Sequence, residues 1–339
     1  LLILLDFTTL FCQHSNLFCQ LSNPPEGLYK LTLQPNRKLK TMNVKQILSF
    51  TFMLLTVGAV HAQDYELVWS DEFDTNTLGI NWNVEATDAP YNNELQAYTA
   101  RPENVTVADG NLILTARRES QGGKKFTSGR VNTKHRVAFT HGKIEARIKL
   151  PQLANGLWPA FWMMGNDFDE VDWPKCGEID ILEMGMKEAI ANGTTSRTVA
   201  GTIHWGENAG THQQFTGGNV TVNHDLTGDY HIFTAVWDDD YLRFYVDNST
   251  EPYFTKMIKK GFGSGDYFHK PFFIILNMAV GGDYTGIFQP DAVTALPADG
   301  SEAKMYVDYV RIYQKKGQNN VTTGINDLQL SDQNSTNNL

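Results

Sequence analysis

Three carboxylates stand within six residues of the chain, as Glu178, Asp180 and Glu183. Large apolar side chains separate them, which predicts a strand with at least one buried face. Because side chains in a strand alternate between its faces, Glu178 and Asp180 share a face while Glu183, at an odd offset, should turn away. A β-bulge at Ile181-Leu182, which adds one residue, would bring Glu183 back beside the other two. Three acids on a buried face repel one another and lose hydration, so we expect a function to require them.

Paired carboxyl groups are the chemical equipment of most enzymes that cleave glycosidic bonds. One carboxyl protonates the leaving oxygen, and the other acts as a nucleophile or as a base. In retaining enzymes the two groups are only about 5–5.5 Å apart. A carboxylate beside other carboxylates also has a raised pKa, which keeps a general acid protonated at neutral pH. The spacing therefore suggests acid–base work on a glycosidic bond, with Asp180 holding the charge state of a neighbouring glutamate.

Aromatic residues accompany the acids. Trp158-Pro159-Ala160-Phe161-Trp162 and Trp173-Pro174 lie just upstream of the acidic strand. Aromatic faces pack on the apolar faces of sugar rings, although a tryptophan is just as often a core residue. Because Phe161 and Trp162 are neighbours in a strand, one of the two must face away from the core. A sugar-binding face and a hydrophobic core both stay open as explanations.

The region from Glu66 to Lys315 is strand-like almost throughout. Residues 142–150 alternate strictly between apolar and polar, as a strand with one buried and one wet side does. Turn signals such as Asp109-Gly110 and Gly281-Gly282 separate the strands. No helical periodicity lasts longer than two turns. About 250 residues of this kind predict an all-β protein, built as one large antiparallel sandwich or barrel.

Composition divides the chain into four segments. We interpret residues 1–41, which contain no methionine, as upstream sequence translated from a misplaced start rather than as a membrane anchor, for which the Leu-rich opening is too short. Residues 42–62 are typical of a secretory signal peptide, so we expect a secreted protein. Residues 63–316 form the predicted folded domain. Residues 317–339, rich in Asn, Thr, Ser and Gln, predict a disordered tail or linker.

Charge and cysteine content limit the partners. The formal net charge is −10, and it becomes −13 without residues 1–62, which hold five bases and two acids. An acidic protein is a poor candidate for binding nucleic acid or an anionic membrane surface. Of the three cysteines only Cys176 lies in the mature part, which therefore can form no internal disulfide. A domain of about 250 residues buries enough core without one. We expect a monomer.

Taken together and in order, these motifs resemble glycoside hydrolase family 16 over residues 64–315, and within it the laminarinase-like, endo-β-1,3-glucanase branch. The acid motif at 178–183 carries most of the resemblance. The other matching blocks are Asn92-Asn93-Glu94-Leu95-Gln96, Ser128-Gly129-Arg130, Gly156-Leu157-Trp158-Pro159-Ala160-Phe161-Trp162, Asn277-Met278-Ala279-Val280-Gly281-Gly282 and Val307-Asp308-Tyr309-Val310-Arg311-Ile312-Tyr313. The resemblance implies a β-jelly-roll sandwich of the concanavalin A-like kind. In it, two antiparallel sheets form a concave substrate cleft.

The resemblance also implies a retaining double-displacement mechanism and a role for each acid. Glu178 is the expected nucleophile, Glu183 the acid and then the base, and Asp180 the residue that assists Glu178. The family positions that bind substrate correspond to Asn92, Arg130, Trp158, Trp173, His204 and Asn277. Three of these have plainer explanations: a surface salt bridge for Arg130, a core position for His204 and a turn for Asn277.

Family members often bind one calcium ion far from the cleft, and no cofactor is expected for catalysis. The matching positions are Glu72, the backbone carbonyl of Gly110 and Asp308, all of them oxygen ligands of the kind calcium prefers. Strand alternation places Asp308 on the same face as Val310, which suits a buried ligand only if the strand bends. We therefore expect a structural calcium ion as a feature additional to the catalytic site.

The expected activity is endo-hydrolysis of β-1,3-glucan of the laminarin type, with mixed β-1,3/1,4-glucan as a further substrate. The closest alternative is a relative that acts on agarose, porphyran or carrageenan. A cleft for sulfated galactans would be rich in Arg and Lys, whereas the residues near the acid motif are mostly acidic: Asp167, Asp169, Glu170 and Asp172, with Lys175 and Lys187 as exceptions. A second alternative is a non-catalytic carbohydrate-binding protein, but such proteins usually lose a catalytic glutamate.

Overall fold

The computed structural model describes residues 18–22, 30–34, 65–217 and 219–324. The chain separates into two units, residues 1–62 and 63–339. In the first unit, strands β1 (Phe18–Ser22) and β2 (Lys30–Gln34) pair antiparallel. The predicted signal peptide at 42–62 lies outside the described residues.

The second unit contains two ten-stranded sheets. The front sheet, which carries the acid motif, consists of β4 (Asn83–Val84), β9 (Arg130–Asn132), β10 (Val137–Phe139), β12 (Leu157–Gly165), β13 (Glu178–Glu183), β14 (Thr198–Trp205), β15 (Gln213–Thr216), β16 (Val220–Thr221), β20 (Phe272–Val280) and β22 (Thr322–Thr323). Its main order is β15-β14-β13-β12-β20-β10-β22, with β16 on β14, β9 on β20 and β4 on β9. The acid strand β13 therefore lies inside the sheet.

The back sheet consists of β3 (Tyr65–Asp71), β5 (Gln96–Tyr98), β6 (Val105–Ala108), β7 (Asn111–Gln121), β8 (Lys124–Ser128), β11 (Gly142–Lys149), β17 (Tyr230–Trp237), β18 (Tyr241–Val246), β19 (Phe254–Met257) and β21 (Glu302–Lys315). Its main order is β19-β18-β17-β11-β21-β7-β8-β5, with β3 on β21 and β6 on β7. Pairing in both sheets is antiparallel except between β5 and β8.

Helices are short in the part of the chain that the structure describes. They are α1 (Phe168–Val171), α2 (Lys187–Ala191) and the 3-10 turns Ala209–Thr211, Gly265–Phe268 and Pro290–Ala292. None of them is long and apolar enough to cross a membrane. The prediction of an all-β sandwich of two largely antiparallel sheets is confirmed.

The hydrophobic core lies between the two sheets. On β11, Ile144, Ala146 and Ile148 are buried and alternate with polar side chains, as the sequence predicts. Strand β20 departs from alternation, because all nine of its residues are buried. One of its faces meets the main core, and on the other Phe273 and Ile275 pack with Met164 and Cys176 in a second apolar cluster. That second cluster lies beside the acid strand and supports its first residues.

The C-terminal end of the described chain continues the front sheet. Strand β22 lies within the segment predicted to be a disordered tail, and it pairs antiparallel with Val137 and Ala138 of β10. The Asn320 side chain donates to the Thr140 carbonyl at 2.8 Å and accepts from Gln314 at 2.9 Å. The ordered part of the domain therefore runs past the boundary predicted at residue 316. Residues 325–339 lie outside the described part of the chain.

Candidate active site

A β-bulge in β13 places the three acids on one face, as predicted. Opposite β14, the step from Thr202 to Ala200 spans two residues while the matching step from Asp180 to Glu183 spans three. The pairing of β13 with β12 shifts by one residue at the same place. Because the extra residue restores the even offset, Glu178 and Glu183 face the same side of the sheet.

Two further features shape this strand, one at the bulge and one just before its first residue. Ile181, inside the bulge, has no register partner on either neighbouring strand, and the hydroxyl of Tyr253 donates to its carbonyl instead. Gly177, just before the strand, has φ of 76°, and a Cβ there would come within 2.9 Å of the Phe272 ring. Only glycine accommodates both the backbone and the close approach.

Glu183 is held as a neutral acid. Its side chain is 9% exposed, and burial together with the neighbouring Asp180 and Glu178 raises its pKa to about 8. The indole of Trp158 donates its N–H to Oε1 at 3.0 Å. A carboxyl group with this pKa keeps its proton at neutral pH and can give it to a leaving group.

Trp158 is held in turn by Tyr284. The two rings stack at 14° with centroids 4.7 Å apart. Tyr284 is half-buried with its hydroxyl inside, and burial beside Glu183 raises the pKa of that hydroxyl well above the ordinary value. Sequence reasoning missed Tyr284, whose one signal was its position two residues after the Gly281-Gly282 turn.

Asp180 is buried beside Glu178. Burial and the adjacent Glu178 carboxylate raise the pKa of Asp180 well above its ordinary value. Two neighbouring carboxyl groups in a buried site do not readily ionise together, so a proton on Asp180 is favoured and can be donated to Glu178.

Glu178 is surrounded by hydrogen-bond donors. The indole N–H of Trp173, a predicted substrate-binding residue, donates to Oε2 at 2.8 Å. His204 Nε2 lies 3.7 Å from Glu178 Oε1 and 3.3 Å from Asp180 Oδ2. His204 is therefore part of the acid cluster rather than a histidine of the core. Its other ring nitrogen, Nδ1, lies 2.9 Å from Nε2 of His212, a residue that sequence reasoning did not select.

Asn277 lies on strand β20 rather than in a turn, and both the oxygen and the nitrogen of its side-chain amide make hydrogen bonds. Its Oδ1 accepts from the Trp162 indole at 2.7 Å, and its Nδ2 donates to the Tyr98 hydroxyl at 3.2 Å. Tyr98 donates in turn to buried Glu94 at 3.1 Å, and burial raises the Glu94 pKa. This chain of bonds orients Trp162, so Asn277 holds an aromatic side chain of the front sheet in place. Sequence reasoning missed Tyr98, because its contact with Asn277 joins segments that are far apart along the chain.

Arg130 makes the predicted salt bridge and also lies over an aromatic ring. Its Nε lies 2.9 Å from Glu85 Oε2, which is the predicted salt bridge. Its guanidinium carbon also lies 5.0 Å from the centre of the Trp162 ring. Through β9 and β20 it is in register with Asn277, so it belongs to the same face as that residue. The arginine is thereby placed beside the aromatic part of the site.

Asn92 lies in the exposed loop before β5. It has φ of 55°, its side chain is exposed, and its carbonyl accepts from the Asp283 backbone N–H at 2.9 Å. With Asn93, whose Nδ2 donates to Asp283 Oδ1 at 2.9 Å, it lines a hollow of about 660 Å³. Exposed Tyr91 and Phe288 border the same hollow. None of the described hydrogen bonds joins Asn92 to the three acids.

The predicted calcium ligands do not fit a calcium site. Both carboxylate oxygens of Glu72 accept from Arg311, at 2.9 and 2.8 Å, and the same arginine lowers the pKa of Glu72. Oδ2 of Asp308 accepts from Arg147 at 2.7 Å. Calcium needs several oxygens converging on one point. Two guanidinium groups occupy these carboxylates instead, so the prediction that Glu72, Gly110 and Asp308 gather around an ion is not supported.

Comparison with known proteins places most of the second unit in one family. The family model described as "Beta-porphyranase A-D, GH16 domain" matches residues 66–315. The chain is 38% identical over 257 residues to the clotting factor G alpha subunit of Tachypleus tridentatus, covering 75% of this chain and 35% of that protein. It is 36% identical over 252 residues to a glucan endo-1,3-beta-glucosidase of Cryptopygus antarcticus, covering 70% and 89%. The chain thus spans about a third of the length of the first relative.

Among solved structures, the chain is similar to a GH16 protein of the Bacteroides ovatus mixed linkage glucan PUL in complex with G4G4G3G product. The identity is 40% and the TM-score 0.66, covering 73% of this chain and 100% of that one. The acid strand of the front sheet lies within the region matched by the family model. The chain belongs to glycoside hydrolase family 16.

Proposed function

We propose that this protein is a retaining endo-glycosidase that hydrolyses β-1,3-glucan of the laminarin type, with mixed β-1,3/1,4-glucan as a second substrate. The bulged strand β13 carries the proposal. On one face of the sheet it presents the Glu183 carboxyl, with its raised pKa, and the Glu178 side chain, which accepts a hydrogen bond from Trp173. These are the acid and the nucleophile that glycoside hydrolysis with retention needs, without a cofactor.

In the first step, Glu183 gives its proton to the glycosidic oxygen while Glu178 attacks the anomeric carbon. The bond to the leaving sugar breaks, and a covalent bond between Glu178 and the remaining sugar forms. Trp173 and Asp180 hold the attacking carboxylate by hydrogen bonds. Because both contacts exist before the substrate arrives, the nucleophile need not be reorganised during the reaction.

In the second step, Glu183 acts as a base. Its carboxylate takes a proton from a water molecule, the water oxygen attacks the anomeric carbon, and Glu178 leaves as a carboxylate. Glu183 ends the cycle protonated, as it began. Two inversions give net retention, so proton NMR of a β-glucan digest should show the β-anomer first. An initial α-anomer would contradict the mechanism.

A neutral glucan fits the charges near the acids better than a sulfated galactan does. Four cationic side chains in this part of the structure are each paired closely with a carboxylate, and Lys187 lies 3.8 Å from Glu188. The pairs are Arg130–Glu85 at 2.9 Å, Lys134–Asp169 at 2.6 Å, Lys175–Glu207 at 2.9 Å and Lys270–Asp167 at 2.7 Å. A sulfate ester needs charge-assisted hydrogen bonds from cations that are not already engaged. This observation favours glucan although the matching family model is named for porphyranases.

A substrate panel tests the proposal directly. The purified protein is incubated with laminarin, lichenan, agarose, porphyran and κ-carrageenan, and the products are sized over time. We expect laminarin to yield a ladder of oligosaccharides early, as internal cleavage does, and lichenan to be cut as well. Cleavage of a galactan without cleavage of either glucan would overturn the substrate proposal. Release of one product size from chain ends would overturn endo action.

A non-catalytic glucan-binding protein is the alternative from another class. All three acids are in place here, and two of them have the raised pKa that general acid chemistry uses. Binding of laminarin by the wild-type protein without any release of reducing ends would favour this alternative.

We further propose that the protein is secreted and acts as a monomer on its polysaccharide. The signal-peptide pattern at 42–62 supports secretion. N-terminal sequencing of the exported protein tests it, with Gln63 as the expected first residue. Calcium is not part of the proposal, because Glu72 and Asp308 are each engaged by an arginine.

A further inference from the structure

We infer that His212 is a positioning residue for the proposed nucleophile, acting through His204 and Trp173. His212 has no part in the two proton transfers described above. The inference rests on the proposed function, because it concerns the same carboxylates. It adds a residue in a loop between β14 and β15 to a site otherwise built on strands and on the segment before β13.

The first contact of His212 is with His204. Nε2 of His212 lies 2.9 Å from Nδ1 of His204, and the two rings stack at 19° with centroids 5.1 Å apart. On its other side, His204 Nε2 faces Asp180 at 3.3 Å and Glu178 at 3.7 Å. His204 therefore bridges His212 and the two acids.

The chemistry of these partners selects one tautomer of His204. Asp180 Oδ2, the nearer oxygen at 3.3 Å, is buried and has no other hydrogen-bond partner, so a hydrogen on His204 Nε2 suits it. A neutral imidazole has one N–H, which leaves Nδ1 as the acceptor. His212 then supplies the donor, with its Nε2–H directed at Nδ1 of His204. His212 thus keeps the N–H of His204 on the side of the acids.

The second contact of His212 is with Trp173. The two ring centroids lie 4.6 Å apart at 42°. The indole N–H of Trp173 is the donor to Glu178 Oε2 at 2.8 Å. Two of the three side chains that surround the Glu178 carboxylate therefore rest against His212.

The loop that carries His212 is itself fixed. Asn208 caps the 3-10 turn Ala209–Thr211, accepting from the Gly210 N–H at 2.9 Å. Glu207 accepts from Tyr267 at 2.7 Å and pairs with Lys175 at 2.9 Å. Because Lys175 lies two residues after Trp173, the same ion pair joins the His212 loop to the Trp173 segment. The ion pair thereby helps to keep His212 and Trp173 in contact.

The charge state of His212 suits this role. Burial, together with the neighbouring His204, lowers the pKa of His212, while Glu178 opposes that shift. The titratable groups that face the histidine pair are Glu178, Asp180 and Glu183 of β13, with Lys175 and Glu207 neutralising each other beside them. A neutral His212 has one N–H to donate, and it places no positive charge beside His204.

Three substitutions of His212 separate the hydrogen bond from the ring packing. His212→Gln places an amide N–H where Nε2 stands, His212→Asn carries the same amide one bond short of it, and His212→Phe keeps the ring without the N–H. Initial rates on laminarin give kcat and KM for each full-length variant from pH 4 to 9. Thermal unfolding of each variant serves as the control for folding.

We expect His212→Phe and His212→Asn to lower kcat roughly two- to tenfold with little change in KM, since one hydrogen bond is lost. Without the N–H, Nδ1 of His204 is free to take a second proton, and an imidazolium beside Glu178 weakens the nucleophile. The acid limb of kcat/KM should therefore move to higher pH in both variants. His212→Gln should restore kcat and the acid limb.

The outcomes are distinct from those of the substrate panel. A wild-type protein that leaves laminarin and lichenan intact contradicts the proposed function itself. An active wild type with unchanged kcat and pH profile in folded His212→Phe and His212→Asn overturns the inference about His212. Equal losses in the Gln and Asn variants, with an unmoved acid limb, overturn it as well, because packing alone would explain them.

Discussion

Strands β11 and β13 both carry a row of charged side chains, but they treat the charge in opposite ways. On β11 three of the four charges are in ion pairs: Lys143 lies 2.8 Å from Glu145, and Arg147 lies 2.7 Å from Asp308. The fourth, Lys149, lies over the rings of Tyr230 and Tyr306. On β13 three acids stand together, and their neighbours are indole and imidazole N–H groups. The strand that serves the fold pairs most of its charges with opposite charges, whereas burial on the acid strand raises the pKa values of two carboxyls.

The comparison shows why the acids of β13 are costly. Burying carboxyl groups without cations raises their pKa values, and each raised pKa is a free-energy penalty at neutral pH. The pairs on β11 are partly exposed and contribute little to stability either way. Substitutions on the two strands should therefore differ in kind, with activity lost and stability gained on β13 but neither changed much on β11.

The largest effect is expected for the proposed nucleophile. Glu178→Ala should lower kcat on laminarin by roughly 10⁴-fold or more, because no covalent intermediate can form. Glu183→Ala should cost roughly 10²- to 10⁴-fold, the range for a lost general acid. Binding of oligosaccharide, measured by calorimetry, should persist in both. Glu145→Gln on β11 is the matched control, with kcat expected unchanged. Wild-type turnover in either β13 variant would sink the assignment.

The next effect concerns stability and pH at Glu183. Its folded pKa of about 8 lies above the unfolded value, so the unfolded state binds fewer protons between about pH 4.5 and 8. Stability is therefore lost as pH rises through that window, and Glu183→Gln should remove the loss. We expect this variant to be more stable than wild type by a few kcal/mol at pH 8, and by much less at pH 5. Urea unfolding at both pH values measures the difference.

The pH dependence of wild-type activity should also report the ionisation of Glu183. Since Glu183 must be protonated to act as the acid, kcat/KM should fall as pH rises through about 8. An alkaline limb near pH 5 would mean that Glu183 is not held neutral by its surroundings.

Asp180→Asn should have an intermediate effect. The amide still donates to Glu178 but can no longer exchange a proton with it, so we expect kcat to fall roughly 10- to 100-fold. Thermal unfolding should occur at or above the wild-type temperature, because the amide is close in shape to the acid and folding no longer carries the cost of the raised Asp180 pKa. A variant that unfolds would show instead that Asp180 serves the strand rather than the reaction.

The smallest effect is expected on the back sheet. Arg147→Gln breaks the pair with Asp308, which is about one-third exposed on both sides. We expect a loss of less than about 1 kcal/mol in the free energy of unfolding, and no change in kcat. A loss of several kcal/mol would mean that the pairs on β11 stabilise the fold far more than their exposure indicates.

Some parts of the site could be predicted from local sequence. The acids, their apolar spacers and the odd offset of Glu183 all lie within one strand, and strand alternation then requires a bulge. Other parts involve residues far apart. Glu72 pairs with Arg311, 239 residues away, and Asp308 pairs with Arg147, 161 residues away, so the calcium prediction could not foresee either arginine.

The same separation hid one of the residues that support the acids, because Tyr284 stacks on Trp158 only where distant segments of the chain meet in the front sheet. His212 lies much closer in sequence to its partner His204, and the connection between β14 and β15 brings the two together. No pattern near either residue marks it as part of a site. The pairing of β22 with β10 is likewise a long-range contact, and the polar composition around it indicated disorder instead.

The sequence by itself determined the acid strand, its need for an extra residue and the all-β class, because strand period and polarity are properties of neighbouring residues. The tertiary structure alone decided which acid is neutral, which donors face each carboxylate and which charges are cancelled. Those properties depend on burial and on partners brought from distant segments, and a pKa is set by that environment rather than by the residue type.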